Sequence, residues 1–213
     1  MNFFKTPAVL KHLYPSLIWD KHAASSQAEN KTIYLTFDDG PIPDLTSWVL
    51  KTLKSYQARG TFFCVGDNIR QHPDLYQQIV AEGHRTGNHT FHHLNGWKTE
   101  NYTYLKNILQ CEQLLCPSQN TVTKLFRPPY GKIKQKQIQQ IAPRYDIIMW
   151  DILSGDFDPD FNHEACLDKC IQHTQTGTII IFHDNYKAQK NLTYVLPRYL
   201  EHFSEQGYTF ATL

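Results

Sequence analysis

The stretch IYLTFDDGP, residues 33–41, decides the fold. An apolar run ends abruptly in two carboxylates, Asp38 and Asp39, followed by Gly40 and Pro41. Asp and Gly are ordinary turn residues, so a surface turn accounts for the stretch taken alone. The other reading gives two adjacent like charges different tasks at the mouth of a buried strand. The rest of the chain chooses between them.

Beyond residue 30, short β-rich runs alternate with longer helical ones. Strands are expected at 32–37, 60–65, 85–88, 124–126, 145–150, 178–182 and 208–210. Helices are expected near 45–57, 73–82, 100–116, 133–141, 163–174 and 190–205. Thr46 or Asp44 is placed to cap the first helix, and Gly83 and Gly207 to end others. A run apolar on both faces, such as TIIIF at 178–182, belongs in a parallel sheet covered by helices. The alternation implies α/β, and its repeat number a barrel or an open sheet. Polar clusters fall at the C-terminal ends of the strands, where such barrels carry their chemistry. They are Asp38–Asp39, His89–His93, Arg127–Gly131, Asp156 and His183–Asp184. Unselected surface polarity would fall at both ends.

With 213 residues the chain suits one sizeable core. Its net charge of +1 gives no reason to expect nucleic acid or an anionic membrane as partner. No apolar run approaches the roughly 20 residues that span a bilayer. Residues 1–30 are read as an N-terminal extension packing on a barrel formed by residues 31–213. Phe3, Phe4, Leu13, Tyr14 and Trp19 supply the contacts, ahead of a partner or membrane contact. The extension is amphipathic, is interrupted by Pro7 and Pro15, and does not read as a signal peptide. A cytoplasmic location is therefore expected, with a trimmed leader and a cell-envelope location as the alternative. Five cysteines, Cys64, Cys111, Cys116, Cys166 and Cys170, make a poor disulfide framework. Cys166 and Cys170 with His163 and His173 could form a metal cluster, but free thiols on a buried helix face are the commoner arrangement.

GNHTFHHLNG supplies the imidazoles. His89 and His93, four apart, can share a metal on one helical face; His89 and His92, three apart, are the other pair. Two imidazoles and a carboxylate suit a zinc-like ion with an open position for water, whose pKa it lowers to about 7. One of Asp38 and Asp39 would then bind the ion and the other act as base, diverging through the turn at Gly40. Arg127 in RPPYG offers a cation to keep that base ionised, on a loop stiffened by two prolines. His183, ending IIIFH, is either a satisfied core histidine or a general acid for a leaving nitrogen. Asp156 orients His183, pairs with Arg127, or caps a helix.

Taken in order, TFDDG, H-T-x-x-H, RPPYG, the Asp156-Phe157 pair and the apolar run ending in His183-Asp184 resemble the motifs of the polysaccharide deacetylases, carbohydrate esterase family four, the NodB-homology domain. The resemblance covers roughly residues 30–213. It implies a distorted (β/α)7 barrel and metal-dependent removal of acetyl groups from a glycan. Carried over position by position, Asp38 is the catalytic base, and Asp39, His89 and His93 bind a divalent ion, zinc first, with cobalt, nickel or manganese possible. Thr90 stands between the histidines, and His92 falls at a non-ligand position. Arg127 tunes Asp38, the Tyr130 backbone N–H assists the oxyanion, Asp156 orients the acid His183, and Ile181 walls the acetyl pocket. The family usually carries Trp where Phe157 stands and often Asp where Leu153 stands, which puts the substrate in question more than the catalysis. The partner implied is an N-acetylated amino-sugar glycan. The competing readings are hydrolysis of a non-sugar C–N amide and a silent glycan- or metal-binding module.

Overall fold

The computed structural model describes residues 4–22, 31–115, 123–158 and 160–213. Within β1 (Thr32–Asp38), side chains alternate between two faces, as the strand period of two requires. Ile33, Leu35 and Phe37 point outward into a core shared with helices; Tyr34, Thr36 and Asp38 lie on the inner face. The chain continues through α2 (Leu45–Ser55), β2 (Gly60–Cys64), α3 (Gly66–Gln71), α4 (Pro73–Ala81), β3 (Arg85–Asn88), α5 (Asn101–Glu112) and β4 (Lys124–Phe126). Then come α6 (Gln135–Ile141), β5 (Tyr145–Ile147), β6 (Ile152–Leu153), α7 (His163–His173), β7 (Ile179–His183), α8 (Gln189–Glu205) and β8 (Thr209–Phe210). A short helix, α1 (Ala8–Leu13), precedes them all.

Eight strands form one sheet in the order β5-β4-β3-β2-β1-β7-β6, with β8 also pairing to β1. All the strand pairs are parallel, as strands apolar on both faces require. The two edge strands are neighbours in the chain, separated only by residues 148–151. Ile148 N–H still donates to Phe126 O beside β4 (2.8 Å), whereas Asp151 N–H donates to Ile179 O of β7 (2.9 Å). One stretch thus carries both edges, and the sheet curls into a distorted barrel. The expected strand at 145–150 therefore stops at Ile147, and the chain crosses a seam into a second short strand, β6. The apolar run IIMW hides the change of partner from any periodicity argument.

The interior is plugged by Phe63, Leu125, Ile148 and Ile179. A Cβ on Gly87 would lie 2.6 Å from Phe63 Cδ1, so β3 needs glycine where the ring crosses. Outside, α2, α7 and α8 bury Val49, Leu53, Cys166, Cys170, Leu192 and Leu196 against β1, β2 and β7. Gly83 and Gly207 follow α4 and α8 at φ 79° and 77°, the left-handed geometry that ends helices. The expected caps of α2 differ. Asp44 makes no capping bond, and the Thr46 hydroxyl accepts from Ile42 N–H and donates to Asp184 Oδ2 (2.6 Å). Helix α3 has Ile69 as its one strongly apolar residue and offers no periodicity to read.

Residues 4–22 run along the seam. Leu17 and Trp19 are buried beside Ile147 and Met149, and Phe4 packs on Phe161 with ring centroids 5.0 Å apart. Leu13 and Tyr14 are exposed, because α1 buries none of its side chains; Phe3 lies outside the described residues. Cys64, Cys111, Cys166 and Cys170 are buried free thiols, and the Cys166 thiol donates to Ser154 O (2.8 Å). Cys116 lies outside the described residues.

Candidate metal centre and active site

The register of the sheet sets Asp38 of β1 opposite His183 of β7 and Phe63 of β2. One residue later the backbone leaves the strand: Asp39 has φ 86°. This reversal turns the two carboxylates to different neighbours. The turn is fixed by Asp184, whose Oδ1 accepts from Gly40 N–H (3.0 Å). A Cβ on Gly40 would sit 2.0 Å from Asp184 Oδ2, so the approach depends on glycine. Burial pushes Asp184 up to about 8.

Asp38 Oδ1 accepts from Arg127 Nη1 at 2.7 Å, while Oδ2 faces His89 Nε2 at 4.0 Å without bonding to it. Arg127 is wholly buried, yet each of its three guanidinium nitrogens has a partner. It donates to Thr36 Oγ1 (2.7 Å), Ile148 O (3.2 Å) and Met149 O (2.8 Å), and its guanidinium lies 4.1 Å from the Phe63 ring centroid. A buried guanidinium needs such a set to offset its desolvation.

Asp39 meets the imidazoles. Its Oδ1 lies 3.0 Å from His93 Nε2 and 3.5 Å from His89 Nε2. Its Oδ2 accepts from Asn185 Nδ2 (2.5 Å), and its backbone carbonyl from Asn68 Nδ2 (2.7 Å). Burial opposes ionisation there, but His89 and His93 outweigh it and hold Asp39 well below the usual carboxylate range. Thr90 and His93 adopt φ 62° and 53°, so 89–93 is an irregular loop rather than a helical turn. Asn88 and Asn107 hold it by accepting from Thr90, Phe91 and His92 N–H groups. His92 bonds Asn107 (2.8 Å) and so turns away from its two neighbours' target.

The residues fit a cation. His89 Nδ1 is 2.8 Å from Arg127 O, a carbonyl that can only accept, so Nδ1 carries a proton and Nε2 is the ring atom turned inward as ligand. His93 Nδ1 is 3.1 Å from the Tyr130 hydroxyl, leaving its Nε2 toward the same point. Asp39 Oδ1 is buried and accepts no hydrogen bond. The three ligand atoms lie within 4.8 Å of one another. Two imidazoles and a carboxylate converging with an orphaned oxygen are the donor set of a zinc-like ion.

Across the site, His183 donates its backbone N–H to Asp156 Oδ2 and shares Nδ1 with Oδ1, both at 2.8 Å. Burial lowers its pKa, but Asp156 more than offsets this and raises it to about 9. Asp156 is thus His183's partner, not Arg127's. Phe157 sets its ring edge-on to His183, centroids 5.0 Å apart. Tyr130 adopts φ 60° at the tip of the loop that carries it, with its ring exposed. Ile181 lies buried beside Thr36 and Leu153 in the strand register.

All the expected site residues thus gather at one end of the sheet. Asn185 and Asp184 were not singled out for Asp39 and the Gly40 turn, nor Thr36 for Arg127. Thr36 was legible in principle, being two residues from Asp38 on the same strand face. Cys166 and Cys170 do not join His163 or His173 in a converging ligand set; His163 packs on Tyr194 instead. Among the described residues a second converging set exists, Asp20, His22 and Asp151, but the Lys11 ammonium bridges both carboxylates there.

Comparison with known proteins identifies the family and the fold. The polysaccharide deacetylase family matches residues 25–147, and the chain belongs to that family. It is 31% identical over 190 residues to a Bacillus cereus peptidoglycan-N-acetylglucosamine deacetylase, covering 86% of each chain. It is 29% identical to the Bacillus subtilis peptidoglycan-N-acetylmuramic acid deacetylase, covering 86% of this chain but only 38% of that longer relative. A crystal structure of a peptidoglycan N-acetylglucosamine deacetylase with a bound N-oxidanyl-benzamide superposes at a TM-score of 0.84, with 25% identity, covering 98% of this chain and 95% of that one.

Proposed function

We propose that this protein hydrolyses the acetamido group of an N-acetylated amino sugar in a peptidoglycan-type glycan, releasing acetate. The observation that carries the reading is the split between the two carboxylates. Asp39 faces two imidazole nitrogens, while Asp38, one residue away, is held by Arg127 and keeps Oδ2 free toward the same space. Relatives named as peptidoglycan deacetylases supply the substrate class.

Asp39, His89 and His93 would hold the divalent ion, zinc before cobalt, nickel or manganese. When bound, it would supply Lewis acidity to the acetyl carbonyl and bring the pKa of water toward about 7. Asp38 Oδ2 takes the proton of the attacking water, and Arg127 keeps that carboxylate in place. The Tyr130 N–H stabilises the developing oxyanion. His183, fixed through Nδ1 by Asp156, protonates the leaving nitrogen from Nε2. Asp156 beside it raises the His183 pKa, which favours the proton-bearing form an acid needs. Phe157 and Ile181 shape the space for the acetyl methyl group.

The test is acetate release from N-acetylated oligosaccharides and peptidoglycan fragments, using chelated and zinc- or cobalt-reconstituted protein side by side. Metal-dependent release is expected. Tight metal binding with no release from any sugar would overturn the assignment.

A further inference from the structure

The geometry points to residues 5–18 as a clamp that positions Arg127, and through it Asp38, by fixing the backbone carbonyls at the seam of the barrel. The link from clamp to reaction rests on the deacetylase reading above.

Two of Arg127's four hydrogen-bond partners are main-chain carbonyls of seam residues, Ile148 O and Met149 O. These residues lie between β5 and β6, where the chain has left one ladder and not yet joined the next. A carbonyl outside a ladder points wherever its own N–H neighbours are tied. Here the Met149 N–H is tied to the N-terminal segment, and so are the flanking Ile147, Trp150 and Asp151 carbonyls. Ile18 N–H donates to Ile147 O (2.9 Å), and Met149 N–H to Ile18 O (2.7 Å). Thr6 N–H donates to Asp151 O (2.8 Å), and the Thr6 hydroxyl to Trp150 O (2.7 Å). Ile18 therefore forms a one-residue parallel bridge to Ile148, and Lys5 an antiparallel one to Ile152. Lys11 pins the segment from the side, its ammonium 2.5 Å from Asp151 Oδ1 and 2.7 Å from Asp20 Oδ2.

The consequence reaches the carboxylate. Arg127 Nη1 holds Asp38 Oδ1, while Nε and Nη2 rest on the seam, so the planar fork fixes one end against the other. A seam free to shift would carry the guanidinium with it. Misplacement of a catalytic group by about 1 Å can cost about a hundredfold in rate. Thr6 is thus a positioning residue for a carboxylate it never touches.

Thr6→Val tests this in the full chain, because it is isosteric and removes one hydrogen bond. The first readout is solvent exchange of the Arg127 Nε–H proton by NMR, which needs no substrate. Exchange about fivefold faster than in the parent is expected, the factor for one lost hydrogen bond. Thr6→Ser, which keeps the hydroxyl, should restore the slow rate. Unchanged exchange in Thr6→Val would overturn the clamp. The second readout is kcat against KM for acetate release. A fall of about tenfold in kcat with KM and bound metal unchanged is expected, and it should vanish in an Arg127→Lys background. Faster exchange with unchanged kcat, or an effect that persists beside Arg127→Lys, would overturn the catalytic link. A parent protein with no activity on any glycan would instead overturn the proposed function, while the exchange measurement still decides the clamp.

Discussion

Asp38 occupies the last rung of β1, 2.7 Å from Arg127, whereas Asp39 has already turned off the strand at φ 86° and faces two imidazoles. Their substitutions should therefore fail in different ways. Asp39→Ala removes a ligand and is expected to lose bound zinc and activity together, read by metal analysis of dialysed protein. Asp38→Asn keeps the ligands; zinc content should be unchanged while kcat falls by about 10²–10⁴, the usual share of a general base. Asn185 belongs to the same pair of roles, since its amide fixes Asp39 Oδ2 and leaves Oδ1 for the ligand position. Asn185→Ala should weaken zinc about 10–100-fold in chelator competition. At this scale much was legible, because Asp38, Asp39, His89, His93, Arg127 and His183 each follow a readable strand or sit in a motif. Asn185 was not, because an Asn after a His-Asp pair is chemically unremarkable until the chain folds it onto Asp39.

Elements were legible where periodicity is long and opaque where it is short. The β7 pattern predicts a parallel sheet, and α8 is readable over most of its length. The seam was not, because a run such as IIMW satisfies the pattern of a continuous strand while its hydrogen bonds change partner. The α2 caps were misread because Asp44 and Thr46 have the right chemistry, but Asp184 claims the Thr46 hydroxyl. Gly87 in β3 shows an element's dependence on one missing methyl. Gly87→Ala forces its Cβ against Phe63 and should lower stability by about 1–3 kcal/mol in denaturant titration. The ion cluster beside the seam sets a pH dependence. Asp151 is pulled down to about 2, burial opposing and His22 and Lys11 prevailing, from about 3.9 in the unfolded chain. A depressed carboxyl contributes above its unfolded value, and the contribution disappears as pH falls from about 4 toward 2. His22 is raised, chiefly by its bond to Asp151, so its share is complete below about 6.5 and fades as pH rises through its folded value. Asp151→Asn should therefore cost about 2 kcal/mol near pH 5–6 and progressively less below pH 4, as followed by thermal melts across pH.

For the whole molecule, the site is a junction. Its groups arrive from the ends of β1, β3, β4, β6 and β7, so an ion held by Asp39, His89 and His93 ties separate strands together. Zinc at about a hundredfold its Kd should stabilise the protein by about 2.7 kcal/mol, and chelation should remove the gain. Asp39→Ala should show no such zinc-dependent rise in Tm.

The strand that carries the two carboxylates is paired on one side by β2 and on the other by β7, about 144 residues further along the chain. Synthesis delivers these partners at very different times. A nascent chain that has emerged only as far as α7 has β1 with one bare edge. Its N-terminal segment is also without Gly177 O, the partner of Lys21 N–H. Contacts of such long separation form slowly and leave apolar edges open meanwhile. The chain must therefore emerge through β7 before the barrel can close. The interval before that closure is when the protein is most exposed to aggregation and to proteases.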